Sequence, residues 1–134
     1  MEKEKLKRIF DFFKKNEGQN PPFFWKLINN IPLIEDDLNI EGDLDLSHSN
    51  VILLPEGLKV GGNLLLAFSR ITSLPKGLKV EGYLSVSYTQ INSLPKGLEV
   101  GRNLFIKDAK LVKYSSDELR EMVKPGFIKG EILR

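Results

Sequence analysis

From Ile40 onward, apolar residues return to the same place every 20 positions. Leu44, Leu64, Leu84 and Leu104 form one column; Leu46, Leu66, Val86 and Ile106 form a second, two residues on. Val51, Ile71, Ile91 and Leu111 follow, then Leu54, Leu74 and Leu94, then Leu58, Leu78 and Leu98, and finally Ile40, Val60, Val80 and Val100. An apolar-x-apolar pair is what a short strand offers, because alternate side chains leave the backbone on opposite faces. Copies held in step at a fixed period predict a solenoid, with the strands stacked as a parallel sheet. No single unit of this length has a second face against which to bury its apolar side. Each unit therefore packs on its neighbour, and the core runs continuously along the array.

The punctuation between the columns repeats as well. Pro55, Pro75 and Pro95 each follow a core leucine. A proline ring fixes φ and removes an amide donor, so the return path is predicted to be extended or tightly turned and not a long helix. Gly57, Gly77 and Gly97, with Gly42, Gly62 and Gly82, mark the reversals, where glycine tolerates positive φ. Arg102 stands where the other units have glycine. The last full repeat is therefore expected to turn differently, or to use Gly101 in that role.

The flanks depart from the repeat. Residues 31–50 are a degenerate first unit, with Ile31, Ile34 and Leu38 at the Val51, Leu54 and Leu58 positions and Glu35 in place of proline. Ahead of it, Leu6, Ile9, Phe10 and Phe13 predict an amphipathic helix over residues 3–15. Asn20 caps a second, short helix with Pro21 and Pro22 in its first turn. These helices are expected to cover the open end of the stack; the alternative leaves part of the Phe23, Phe24, Trp25 cluster exposed as a binding anchor. At the other end Ser115 opens S-S-D-E, a capping box with Glu118, for a helix that places Leu119, Met122 and Val123 inward and stops before Pro125-Gly126. Residues 127–133 then read as an extended segment that can pair with the sheet edge. The expected organisation is one domain over 1–134, with a helical cap at 1–30, repeats at 31–114 and a second cap at 115–134.

The pattern L-P-x-G-L-x-V-x-G-x-L-x-L resembles the short leucine-rich repeats, roughly 20 residues long, of bacterial and phage proteins, and the resemblance spans residues 31–114. It implies an α/β repeat solenoid: a curved leucine-rich-repeat stack with a short parallel β-sheet on the concave side, a helical N-terminal cap and a helix-plus-strand C-terminal cap. It also implies a protein-binding scaffold that needs no cofactor. Where longer classes of the family carry a buried asparagine ladder, this chain has Ser49, Ser69, Thr89 and Ala109. The three hydroxyls can satisfy backbone groups inside the turn, whereas Ala109 cannot. Some bacterial proteins with similar repeats carry a ubiquitin-ligase domain with a catalytic cysteine, and this chain has neither.

Composition narrows the chemistry. Twenty basic residues against eighteen acidic leave a net charge of +2, too little to signal nucleic acid by itself. There is no cysteine, hence no disulfide framework, thiolate nucleophile or cysteine metal site. The polar start MEKEKLKR lacks the apolar core of a secretory signal, and no stretch is apolar enough to span a membrane, so a cytoplasmic protein is expected. His48 is the sole histidine, so common zinc sites and His-dependent triads have no ligand set, and no catalytic or metal residue is predicted. Asp43 and Asp45, two apart, offer paired carboxylates, but nothing completes a site and solvated carboxylates are the better reading. Charge is instead distributed along the array. Residues 31–50 hold six acidic and no basic side chains (−6), and residues 91–114 hold five basic and two acidic (+3). Such a gradient belongs either to ordinary solvated loops or to a surface that orients a partner.

Alternation around Leu44 and Leu46 turns residues 43, 45 and 47 and their equivalents outward. The middle of the face is thus predicted to display Leu65, Tyr83 and Phe105, with Phe68 and Tyr88 at its rim and the burial of Phe68 left open. Aromatic residues ringed by Asp43, Asp45, Arg70, Gln90 and Lys107 have the composition of a protein interface. The expected function is a non-enzymatic module, monomeric or weakly dimeric, that grips a protein and acts by occlusion or bridging. The resemblance suggests a phage or bacterial inhibitor of a host enzyme or defence nuclease. The alternative is nucleic-acid or ribonucleoprotein binding through the basic last repeats, with Tyr83, Tyr88 and Phe105 as stacking platforms.

Overall fold

In the computed structural model, residues 38–134 are described; the two expected amino-terminal helices, the Phe23, Phe24, Trp25 cluster and residues 31–37 of the degenerate repeat lie outside them. Each 20-residue coil contributes two strands of two residues. The first set is β1 (Asn39–Ile40), β3 (Lys59–Val60), β5 (Lys79–Val80), β7 (Glu99–Val100) and β9 (Phe127–Ile128); the second is β2 (Leu44–Asp45), β4 (Leu64–Leu65), β6 (Leu84–Ser85), β8 (Leu104–Phe105) and β10 (Ile132–Leu133). Each set forms a five-stranded sheet whose neighbours are parallel. Leu44 faces Leu64 and Val60 faces Val80, so the register step is the sequence period. The protein is a parallel β-solenoid with one α-helix among its described residues.

The single sheet expected from the L-x-L pairs is thus half of the strand content. L58-K59-V60, L78-K79-V80 and L98-E99-V100 alternate in the same way, and they build the second sheet on the return path. Their buried members are Leu58, Val60, Leu78, Val80, Leu98 and Val100, each at most 2% exposed. Leu64, Leu66, Leu84, Leu104 and Ile106 from the other sheet are fully buried, as are Ile71, Ile91 and Leu111 at the corner between. The core is therefore a column of aliphatic side chains stacked coil on coil, as the periodicity predicts.

Residues 127–134 are a displaced copy of the repeat. Val100 faces Ile128, a step of 28, and the eight residues beyond the usual 20 equal the length of helix α1 (Ser116–Val123). Aligned past that insertion, I-K-G-E-I-L matches V60-G-G-N-L-L, and the segment completes both sheets. The Ser115 hydroxyl accepts from the Glu118 amide at 3.1 Å and Glu118 accepts from the Ser115 amide at 3.0 Å, so the capping box forms as its spacing predicts. Leu119 and Val123 are buried and Met122 half-buried. The Arg120 guanidinium donates to the carbonyls of Ile128 and Gly130, which fastens the helix to the displaced coil.

Arg102 does not alter the turn. Its amide donates to Gly82 O at 3.1 Å, as Gly62 donates to Gly42 O at 2.8 Å and Gly82 to Gly62 O at 2.9 Å. Among the described glycines, positive φ is confined to Gly42, Gly57, Gly77 and Gly97, so conformational freedom is not what Gly62 and Gly82 supply. They supply clearance. A Cβ on Gly62 would lie 2.3 Å from Asp43 Oδ1, and one on Gly82 would lie 2.1 Å from Asn63 Oδ1. Those two oxygens accept the amides of Asn63 (2.7 Å) and Tyr83 (2.8 Å) of the next coil. Asn103 Oδ1 repeats the arrangement with the Glu131 amide, and Gly130 is its glycine. Beneath Arg102 the corresponding side chain is Tyr83, which has no such acceptor to displace. Arginine therefore fits without a new backbone path.

Candidate functional site

The corner after each of β2, β4, β6 and β8 carries a non-glycine residue in the left-handed region: His48 (φ 58°), Phe68 (61°), Tyr88 (56°) and Asp108 (53°). The amide of the following residue donates back to the strand, Ser49 to Leu46 O at 3.3 Å and Ser69 to Leu66 O at 3.1 Å. This is a four-residue turn with positive φ at its third position, where glycine or asparagine is preferred. A side chain there costs about 1–3 kcal/mol of backbone strain. The sequence uses glycine at the other left-handed corner, in Gly57, Gly77 and Gly97, but not at this one.

The rings at this corner form a ladder. His48 and Phe68 stack with centroids 4.7 Å apart and an interplanar angle of 8°; Phe68 and Tyr88 stack at 4.3 Å and 9°. Such pairs stabilise by about 0.5–1.5 kcal/mol each beyond the apolar area they bury, which offsets the strain in part or in full. Phe68 stays 50% exposed and Tyr88 38% exposed, which settles the burial of Phe68 on the side of solvent. Phe68 has a stacked ring on both faces, and His48 and Tyr88 on one each.

Beside the ladder lies the outer surface of the β2-β4-β6-β8-β10 sheet. Leu65, Tyr83 and Phe105 are half-buried there, with the Tyr83 and Phe105 rings edge to face at 5.3 Å. Asp43, Asp45, Lys107 and Arg70 are exposed. Leu65, Tyr83, Phe105, Asp43, Asp45 and Lys107 fall on the outward columns of this sheet and Phe68 and Tyr88 on the adjoining corner, the ladder more exposed than the expected centre; Arg70 follows that corner in the chain. Both aspartates serve the backbone: Asp43 receives the Asn63 amide, and Asp45 receives the Ser47 amide at 3.0 Å. The backbone amide and hydroxyl of Ser47, assisted by the His48 charge, hold the Asp45 carboxyl below the usual aspartate range. Hydroxyls inside the corner act unevenly. Thr89 donates to Val86 O at 2.7 Å and Ser49 accepts from the Val51 amide at 3.3 Å, whereas the buried Ser69 hydroxyl has no partner among the described residues.

A groove on the other sheet was not anticipated. A groove of about 470 Å³ crosses the β1-β3-β5-β7-β9 sheet, bordered by Lys59, Lys79, Glu81, Glu99 and Lys129, with Lys79 and Glu99 paired at 3.6 Å. The L-x-V alternation was its signal. Charges of both signs neutralise one another along it. Among the described residues, no helix is long and apolar enough to cross a membrane. Comparison with known proteins finds no family model, no curated protein and no solved structure that matches this chain.

Proposed function

We propose that this solenoid is a leucine-rich-repeat-type protein-binding module without catalytic activity, acting in the cytoplasm by occluding or bridging its target, as an inhibitor of an enzyme or nuclease would. The binding surface is the β2-β4-β6-β8-β10 face and its aromatic corner. Phe68 and Tyr88 are the primary anchors, Leu65, Tyr83 and Phe105 the half-buried floor, and Asp43, Asp45, Arg70 and Lys107 the polar rim.

The observation that carries this reading is the ladder. Three rings held in left-handed backbone, where glycine is the residue of least strain, are stacked on one another and left partly open to water. Functional surfaces are where such strain is kept, and exposed aromatic edges framed by charge are what protein partners bury. The stacking also weighs against nucleic acid. Phe68 has a ring on both faces, Tyr88 on one, and Tyr83 and Phe105 are turned into each other, so few free faces are left for bases to stack upon.

The test is capture from nuclease-treated and untreated cell lysate by the full chain and by the Phe68→Asn/Tyr88→Asn variant. Asparagine accepts left-handed φ, so the corner survives while the rings are removed. A protein held by the unmodified chain after nuclease treatment, and lost by the variant, is the expected result. Recovery that nuclease abolishes would transfer the function to nucleic acid, and equal capture by both proteins would remove the ladder from the site.

A further inference from the structure

In the β1-β3-β5-β7-β9 sheet, each coil is joined to the one before it by the same pair of main-chain bonds. The amides of Gly61 and Gly62 donate to Ile40 O and Gly42 O, those of Glu81 and Gly82 to Val60 O and Gly62 O, and those of Gly101 and Arg102 to Val80 O and Gly82 O. The displaced coil continues the series, with Lys129 and Gly130 donating to Val100 O and Arg102 O, both at 2.9 Å. Each coil thus gives two successive amides to its predecessor and presents two acceptors, two residues apart, to its successor. On the last coil those acceptors are Ile128 O and Gly130 O, because Val100 faces Ile128 in the register. They are the two carbonyls that Arg120 takes, Nη1 donating to Ile128 and Nη2 to Gly130.

The match is chemical as well as positional. A guanidinium carries its donors on neighbouring nitrogens of one rigid plane, which makes it the side chain nearest in kind to two successive amides. Helix α1 brings it there. The last residue of that helix has its own place in the ladder: Gly97 N donates to Val123 O at 2.8 Å, where Gly57 N donates to Lys76 O of the next coil at 3.1 Å. The insertion therefore joins the stack through its main chain and closes it through a side chain. The coils between β1 and β8 contain no helix and so have no counterpart of Arg120.

A sheet edge with free acceptors is a template for a strand of another molecule. We infer that Arg120 is the stop of the solenoid: its guanidinium stands in for the two amides of a further coil and denies the β9 edge to a second copy of this chain. A further coil must pair with both sheets at once, as the described coils do, so occupying one pair of acceptors is sufficient. The stop belongs to the sheet opposite the proposed binding face and stands or falls independently of that reading.

Sedimentation velocity of the full chain and of Arg120→Met, over about 0.01–0.3 mM, tests the stop in the range where exposed edges associate. Methionine keeps an unbranched stem and a good helix former and removes every donor. Arg134→Met is the first control, since it loses the same charge and two bonds to carbonyls, those of Val112 and Tyr114, which belong to neither sheet. Leu119→Ala is the second: it removes a fully buried contact of the helix and keeps the guanidinium. The mean mass of Arg120→Met is expected to rise with concentration to at least about twice that of the unmodified chain, while both controls match the unmodified chain. Arg120→Lys, which keeps stem and charge but lacks the planar pair of donors, is expected to associate to a smaller extent, and it alone decides if circular dichroism shows Arg120→Met to be unfolded. Arg120 variants with the mass of the unmodified chain throughout overturn the inference. Equal association by Leu119→Ala or by Arg134→Met overturns it as well, by assigning the effect to a loosened helix or to lost charge.

Discussion

Gly82→Ala isolates the contact that sets the fit between coils. The added Cβ would lie 2.1 Å from Asn63 Oδ1 and 2.8 Å from Gly62 O, both inside van der Waals contact. Asn63 must swing away and give up its 2.8 Å bond from the Tyr83 amide. A half-buried donor left unmatched costs about 1–3 kcal/mol, and easing the backbone contact brings the expected loss to about 2–4 kcal/mol. With Asn63→Ala already present, no side chain remains to be displaced and only the backbone contact is felt. The coil of Arg102 gauges that residue: its bond to Gly82 O is 3.1 Å, against 2.8 and 2.9 Å for the glycine coils. Opening by a few tenths of an ångström is cheap, so Gly82→Ala should cost under about 1 kcal/mol in that background. Urea unfolding of the four proteins, followed by far-UV circular dichroism at constant m, measures the cycle. A coupling of about 1–3 kcal/mol is expected between the two sites. Additive losses, agreeing within about 0.5 kcal/mol, would refute the claim that these glycines are kept for clearance.

Leu84→Ala, at a fully buried position, should lose about 2–5 kcal/mol in the same assay, and a loss well below 1 kcal/mol would mean that its column is not the core. The corner hydroxyls should separate: Ser69→Ala is expected to be neutral or to stabilise by up to about 1 kcal/mol, whereas Thr89→Ala should destabilise by about 1–2 kcal/mol through its lost 2.7 Å bond to Val86 O. Ser115→Ala should cost about 1 kcal/mol as a lost helix cap. The Ser115 amide, with its hydroxyl assisting, holds the Glu118 carboxyl below its ordinary value, so its contribution is present above the usual glutamate range and lost as pH falls through the depressed value. A Glu118→Ala deficit should therefore shrink in acid melts, and a deficit independent of pH down to about 2 would remove the Glu118 carboxylate from the cap.

The amino-acid sequence by itself determined the solenoid, its phase and most of its core. A period of 20 with conserved apolar type at each column has only one packing that buries every column, namely coil on coil. The capping box was equally legible, because its partners are three residues apart and meet whatever surrounds them. Tertiary structure alone decided three things. The second sheet follows from L-x-V triplets that also suit an irregular return path, and only the neighbouring coil supplies the amides and carbonyls that make them strands. The displaced last coil follows from Phe127–Leu133 docking 28 residues from its template, a step that helix α1 hides from any search at period 20. The ladder follows from backbone at His48, Phe68 and Tyr88 that local preference assigns to glycine. Cross-coil amide bonds hold that corner, with His48 donating to Ala67 O at 3.0 Å and Tyr88 to Lys107 O at 2.9 Å. Propensity is a property of one residue and its neighbours in the chain, and here the neighbours that decide are 20 residues away.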